Sequence, residues 1–309
     1  MRKDGFYDSK GEGRIHYCVW TPEGDVRAVV QIVHGIAEHV ERYDEFAEYL
    51  CSRGYAVAAE DHMGHGKSVF SQQGYFKGGW FTAAEDTVTL TGLMQQRWKD
   101  VPYAFLGHSM GSFLTRTILC RYEDLRYDAV ILSGTGWQPR AGLPLMHSLC
   151  RAVCSREGEK SRSPFLNKLI FGAYNQKVPA PRTEVDWLTR DTRVVDAYLQ
   201  SPDCGFPATA GLLRDLMEGL IYIEKYENLL KMRRDLPVFF ASGAMDPVGN
   251  YGHGVMRAVS EFRKAGMADV TVKIYPMDRH EILNEQNREE VYEDLSSFLE
   301  EKLFGKEPL

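Results

Sequence analysis

Three side chains of this sequence could together make one alcohol oxygen reactive: Ser109, Asp246 and His280. Ser109 is the centre of Gly107-His108-Ser109-Met110-Gly111, between a short apolar run over 103–106 and a helical pattern that continues to 122. Apolar run, sharp turn and helix form one unit. A serine at its apex is forced into strained backbone geometry that holds its hydroxyl clear of the sheet, and both flanking positions need glycine because a side chain there would strike strand or helix. The hydroxyl is a weak nucleophile until a base takes its proton, and the base needs an acid to hold its tautomer. Asp246 lies just beyond an apolar run over 237–242, and His280 just beyond another over 270–275, in the order serine, acid, histidine. The plainer alternatives are an Asx turn before Pro247 for Asp246 and a solvated loop for His280, with Asp278 a rival acid close to His280 in sequence.

Attack on an acyl carbonyl develops an oxyanion, which requires two N–H donors fixed beforehand. Met110, at the start of the helix after Ser109, offers one. The loop His34-Gly35-Ile36-Ala37-Glu38-His39 should supply the other, assigned to Ile36. His108 points back under the sheet or toward whatever covers the site. His62 and His65 in Asp61-His62-Met63-Gly64-His65-Gly66 read as turn scaffolding; no further ligands stand at a workable spacing, so no metal is expected, and acyl transfer of this kind needs no cofactor. His16, His39, His147 and His253 have no partner that distinguishes them.

These residues need a scaffold. Residues 14–20 alternate polar and apolar, which suits an edge strand of an antiparallel start, whereas 27–33 and 55–59 are nearly continuous apolar runs, as in strands covered on both faces. Helical patterns over 43–52, 82–98, 110–122, 253–264 and 284–303 alternate with strands over 103–106, 128–132, 237–242 and 270–275. The fold class is therefore α/β, a mainly parallel central sheet with helices on both faces and its chemistry at the C-terminal strand ends. From about Gly134 to Leu229 the alternation stops. That stretch is rich in proline (Pro139, Pro144, Pro164, Pro179, Pro181, Pro202, Pro207) and has only short helical patterns, so 1–134 with 230–309 reads as the core and 135–229 as an inserted helical cap or lid. Apolar stripes such as Phe165-Leu166-Leu169-Ile170 and Leu212-Leu213-Leu216-Met217-Leu220 are either a lipid-facing surface or the cap's packing face on the core.

Composition narrows the partners. At 309 residues with 44% apolar residues the chain can fill a sizeable core, and a formal charge of −6 argues against nucleic acid. The polar start lacks the apolar segment of a secretory signal, and no run approaches a membrane span of about 20 apolar residues, so the expectation is a cytoplasmic protein with at most peripheral membrane contact through the cap. The six cysteines read as reduced thiols.

Five stretches in order carry a resemblance: His34 to His39 followed by Arg42-Tyr43, Asp61 to Ser68, Gly107 to Ser112, Asp246 to Asn250, and His280 to Glu285. Together they resemble the monoacylglycerol lipase and lysophospholipase branch of the α/β-hydrolase fold, the serine aminopeptidase-like group, over nearly the whole chain. Asp186 to Asp191 and Cys204 to Pro207 resemble bacterial members described as lysophospholipases. The resemblance implies Ser109, Asp246 and His280 as a triad and the amides of Ile36 and Met110 as the oxyanion hole. It also implies that Glu38 and Arg42 lie near the polar end of the pocket, a structural Glu38–Arg42 ion pair being the alternative; together with His108 they are the candidate substrate contacts. Ile36 is bulkier than the small residue common after His-Gly, which narrows the pocket beside the carbonyl. The expected activity is hydrolysis of a small-molecule ester or lipid with an apolar acyl chain. An amidase or peptidase, or a short-chain carboxylesterase, would share every motif, whereas a non-catalytic relative would usually have lost a triad member.

Overall fold

A computed structural model of the chain describes residues 1–138 and 142–305. Eight strands form one sheet: β1 (Arg2–Asp8), β2 (Arg14–Trp20), β3 (Ala28–Val33), β4 (Tyr55–Glu60), β5 (Tyr103–His108), β6 (Ala129–Ser133), β7 (Val238–Gly243) and β8 (Val270–Tyr275). Their spatial order is β1-β2-β4-β3-β5-β6-β7-β8, antiparallel for β1–β2–β4 and parallel from β4 to β8. Strand order reverses at β3, between β4 and β5, and a sheet of this kind opens its crevice at such a reversal. The loops after β3 and β5 carry Ile36 and Ser109.

The sheet is buried on both faces because successive residues of its central strands are apolar in both directions. Val29, Phe105 and Val130 join one core with α2 (Trp80–Arg97) and α3 (Met110–Arg121), while Val30, Leu106 and Ile131 join a second with Phe46 of α1 (Asp44–Cys51) and Leu295 of α10 (Arg288–Phe304). Each such side chain contributes about 1.5–3 kcal/mol relative to exposure.

Between β6 and β7 lie α4 (Gly142–Glu157), α5 (Pro164–Phe171), α6 (Thr192–Gln200), α7 (Ala210–Ile223) and α8 (Tyr226–Leu229), with no strand among the described residues. Pro139, one of the insert's prolines, lies outside them. Side chains of Ser163, Asp191 and Thr209 cap the starts of α5, α6 and α7 by accepting backbone N–H groups. Leu212, Leu213, Leu216, Met217 and Leu220 of α7 are all buried in the core shared with α2 and α3, so this stripe is a packing face. The stripe on α5 behaves otherwise: Leu166 is buried, but Phe165 and Leu169 are exposed. Helix α9 (His253–Lys264) precedes β8.

Two expectations need correction. β2 is an inner strand, since β1 covers it from Arg2↔Trp20 to Asp8↔Arg14. β1 carries no hydrophobic signature because it is the exposed edge, where charged side chains block further pairing. The last helix begins at Arg288, not at 284, because the side chain of Glu285 turns inward and the chain bends around it. All six cysteines are free, and among the described residues no helix is long and apolar enough to cross a membrane.

Candidate active site

Ser109 has φ 52° and ψ −122°, a backbone state that costs a non-glycine residue about 1–3 kcal/mol and persists only where the surroundings impose it. They do so here. A β-carbon on Gly111 would collide with the carbonyl oxygen of Val33, and one on Gly107 with Thr115 Oγ1, so strand and helix approach as closely as glycine allows. The Ser109 N–H donates to the Ser133 carbonyl at 3.0 Å, tying the turn to β6.

Asp246, fully buried in the loop after β7, accepts the Val248 N–H at 2.8 Å through the same Oδ1 that lies 3.0 Å from His280 Nδ1. That contact leaves Nε2 of His280 for the cavity that Ser109 also lines. Burial disfavours a charged imidazole, but the charge and hydrogen bond of Asp246 outweigh it, with Glu281 and Glu38 adding to them, and the pKa of His280 is raised above its ordinary 6.5. His108 packs beside it with ring centroids 4.7 Å apart. Burial, then the neighbouring His280, push the His108 pKa down to about 4, so this ring stays neutral.

The loop after β3 is held from below. His34 Nε2 accepts the His62 N–H at 3.0 Å, and His62 Nε2 reaches the His34 carbonyl at 3.1 Å, which makes these buried rings the joint between the β3 and β4 loops. Ile36 follows Gly35, whose β-carbon position lies 3.1 Å from Ser109 Cβ. Among the described residues, the backbone N–H groups of Ile36 and Met110 have no acceptor.

Glu38 and Arg42 belong to a larger arrangement. Glu38 accepts the Gly35 N–H at 2.5 Å, the Tyr43 hydroxyl at 3.0 Å and Arg42 Nη1 at 2.6 Å. Arg42 then pairs with both oxygens of Glu281 at 2.7 and 2.6 Å. Burial on its own would raise the Glu281 pKa, but the Arg42 charge and its paired hydrogen bonds hold it down at about 2. Glu281, beside His280 in sequence, is the partner that sequence reasoning missed; an acid next to a loop histidine was the available signal.

Ser109, His108, His280, Ile36, Glu38 and Glu281 line one cavity of about 850 Å³, within the usual range for small-molecule sites. Asp246 stands behind His280, and neither Arg42 nor Met110 is among the lining residues. The insert supplies much of the remaining wall, including Phe171, Trp187, Leu188, Tyr198 and Phe206. It grips the site at two points: Gly205 N and the Tyr198 hydroxyl donate to the Ala37 carbonyl at 2.9 and 3.0 Å, and Glu281 N donates to the Leu188 carbonyl at 2.7 Å.

His16 does have a distinguishing partner, since its Nδ1 lies 2.8 Å from Asp61 Oδ2. The ring joins Asp4 and Cys18 in the one group of metal-type donors found among the described residues, all within 4.8 Å. Asp4 there is already contacted by Arg2 at 3.2 Å and by Lys67 at 3.5 Å.

Residues 24–287 match the family model described as Serine aminopeptidase, S33 (Hydrolase_4). The chain belongs to this family. The chain is 30% identical over 303 residues to the monoacylglycerol lipase of Mycolicibacterium smegmatis, covering 96% of this chain and 97% of that one. Over a shorter stretch of 105 residues, 34% of each chain, it is 33% identical to monoglyceride lipase of Mus musculus. A thermostable carboxyl esterase from Bacillus coagulans, solved in complex with glycerol, superposes with a TM-score of 0.91 at 28% identity, covering 98% of this chain and 99% of that one. The protein is a serine ester hydrolase of the α/β-hydrolase fold, similar to monoacylglycerol lipases.

Proposed function

We propose that the chain hydrolyses carboxylic esters carrying an apolar acyl chain, of the monoacylglycerol or lysophospholipid kind, through a Ser109–His280–Asp246 triad. The observation that carries this reading is the 3.0 Å contact between His280 Nδ1 and Asp246, with His280 and Ser109 lining one cavity whose insert-side wall is largely apolar. His280, held in one tautomer by Asp246, takes the Ser109 proton through Nε2 as Oγ attacks the ester carbonyl. The N–H groups of Ile36 and Met110 receive the developing oxyanion, with Met110 at the N-terminus of α3 where the helix dipole favours negative charge. Imidazolium then gives its proton to the leaving alcohol. Water, deprotonated by the same imidazole, cleaves the acyl-enzyme and restores the serine. The helical insert over 135–229 serves as the cap, with the exposed Phe165 and Leu169 of α5 as its point of contact with a lipid surface.

Ser109→Ala should abolish turnover of p-nitrophenyl butyrate and of a monoacylglycerol while leaving the melting temperature near that of the native chain. Full activity in that variant would discard the triad. A series of monoacylglycerols of rising chain length tests the apolar acyl site, and a matched anilide distinguishes ester from amide cleavage.

A further inference from the structure

The backbone around His280 is not held by its own strand or by the helix that follows. Arg279 N–H donates to Glu285 Oε1 at 2.9 Å, His280 N–H to the Trp187 carbonyl at 3.3 Å, and Glu281 N–H to the Leu188 carbonyl at 2.7 Å. Three successive amides thus depend on one buried carboxylate and on the insert. Glu285 is fully buried and also accepts Arg190 N–H at 3.0 Å and Arg190 Nε at 2.9 Å. Arg190 continues through Nη2 to Asp278 Oδ1 and Asn287 Oδ1, both at 2.8 Å. In return Thr189 Oγ1 donates to the Asn284 carbonyl at 2.9 Å, and Arg279 Nη1 donates to the carbonyls of Asp186 and Thr189 at 2.5 and 3.0 Å. The Trp187 ring lies 5.0 Å from that of His280, centroid to centroid.

From this arrangement we infer that Arg190 and Glu285 are positioning residues for the imidazole, locking residues 186–190 of the insert to the 278–287 loop as one rigid clamp. The inference rests on His280 being the base. Asp246 is fixed from the β7 side by its own bond to Val248 N–H, and its loop meets the histidine loop through Met245 N–H, which donates to the Asp278 carbonyl at 2.9 Å. The amides of residues 279–281 themselves bond to Glu285 and to the insert, so the His280–Asp246 distance depends on this second anchor as well as on the core. A displacement of about 1 Å at the second anchor is enough to cost on the order of 100-fold in rate. This end of the insert is part of the catalytic apparatus and does not swing as a lid.

The test compares Glu285→Gln, Arg190→Gln and Arg190→Lys in the full chain, each in the native and the Asp246→Asn background, with His280→Ala in parallel. Arg190→Lys keeps the charge between Glu285 and Asp278 but lacks the fork that reaches both, so it serves if the other two fail to fold. Expected are folded proteins whose kcat for p-nitrophenyl butyrate falls about 10- to 100-fold with KM little changed. The acid limb of kcat/KM should move to lower pH as the imidazole loosens from Asp246. In the Asp246→Asn background the same substitutions should cost little more, because the contact they protect is already weakened. A folded Arg190→Lys variant with unchanged kcat and acid limb overturns the clamp, as does an effect that multiplies in full on Asp246→Asn. Full activity of His280→Ala removes instead the reading of the base on which the clamp rests.

Discussion

Gly134 and His280 stand so close that a β-carbon on the glycine would lie 2.9 Å from Cε1 of the imidazole. The same β-carbon would be 3.1 Å from Cε1 of His108, and Gly134 has a φ of +57° that side chains rarely adopt. The residue after β6 thus forms the wall against which both rings rest. Gly134→Ala should displace the His280 ring and, with His280 as the proposed base, lower kcat by at least about 10-fold, since misplacement of reacting groups is costly even when they are all present. Steady-state kinetics beside a thermal melt checks this, and a folded variant with native kcat refutes it.

The pH dependence follows from the raised pKa of His280. As the proposed base, His280 works only when neutral, so kcat/KM should be high at alkaline pH and fall on acidification, with a midpoint above 6.5. Asp246→Asn removes the charge chiefly responsible for the raised value. The midpoint should then move to lower pH, and kcat should drop by about 10⁴-fold as the tautomer is lost. A pH–rate profile of both proteins reads the two effects together.

Arg42 lies between the carboxylates of Glu38 and Glu281, both nearly inaccessible. Arg42→Met leaves two buried negative charges facing each other and should destabilise the fold by about 3–5 kcal/mol in urea denaturation. Because the Glu281 pKa is depressed, its contribution is complete above the carboxyl's ordinary value near 4.5 and is lost as the pH falls toward about 2.

Phe165 and Leu169 expose 59% and 46% of their surface on α5, the helix whose Phe171 lines the cavity. The double variant Phe165→Ser, Leu169→Ser should lower the rate on monoacylglycerol presented in lipid vesicles and leave hydrolysis of soluble p-nitrophenyl butyrate unchanged. Equal losses on both substrates would mean that these side chains support the cavity and do not contact lipid.

The sequence by itself determined the alternation of strands and helices and the loops in which Ser109, Asp246 and His280 lie. Those signals are local: a continuous apolar run marks a doubly covered strand, and Gly-x-Ser-x-Gly between strand and helix leaves the backbone few choices. Tertiary structure alone decided that β1 pairs with β2, that Asp61 holds His16, and that α7 is core while α5 shows an apolar face to solvent. It also decided that Arg42 meets Glu281 across 239 residues and that Arg190 meets Glu285 across 95. A charged side chain carries no mark of its partner in its own neighbourhood. Its pairing is fixed only when the packing of the sheet and the helical insert removes water from both groups and leaves each as the other's best remaining neighbour.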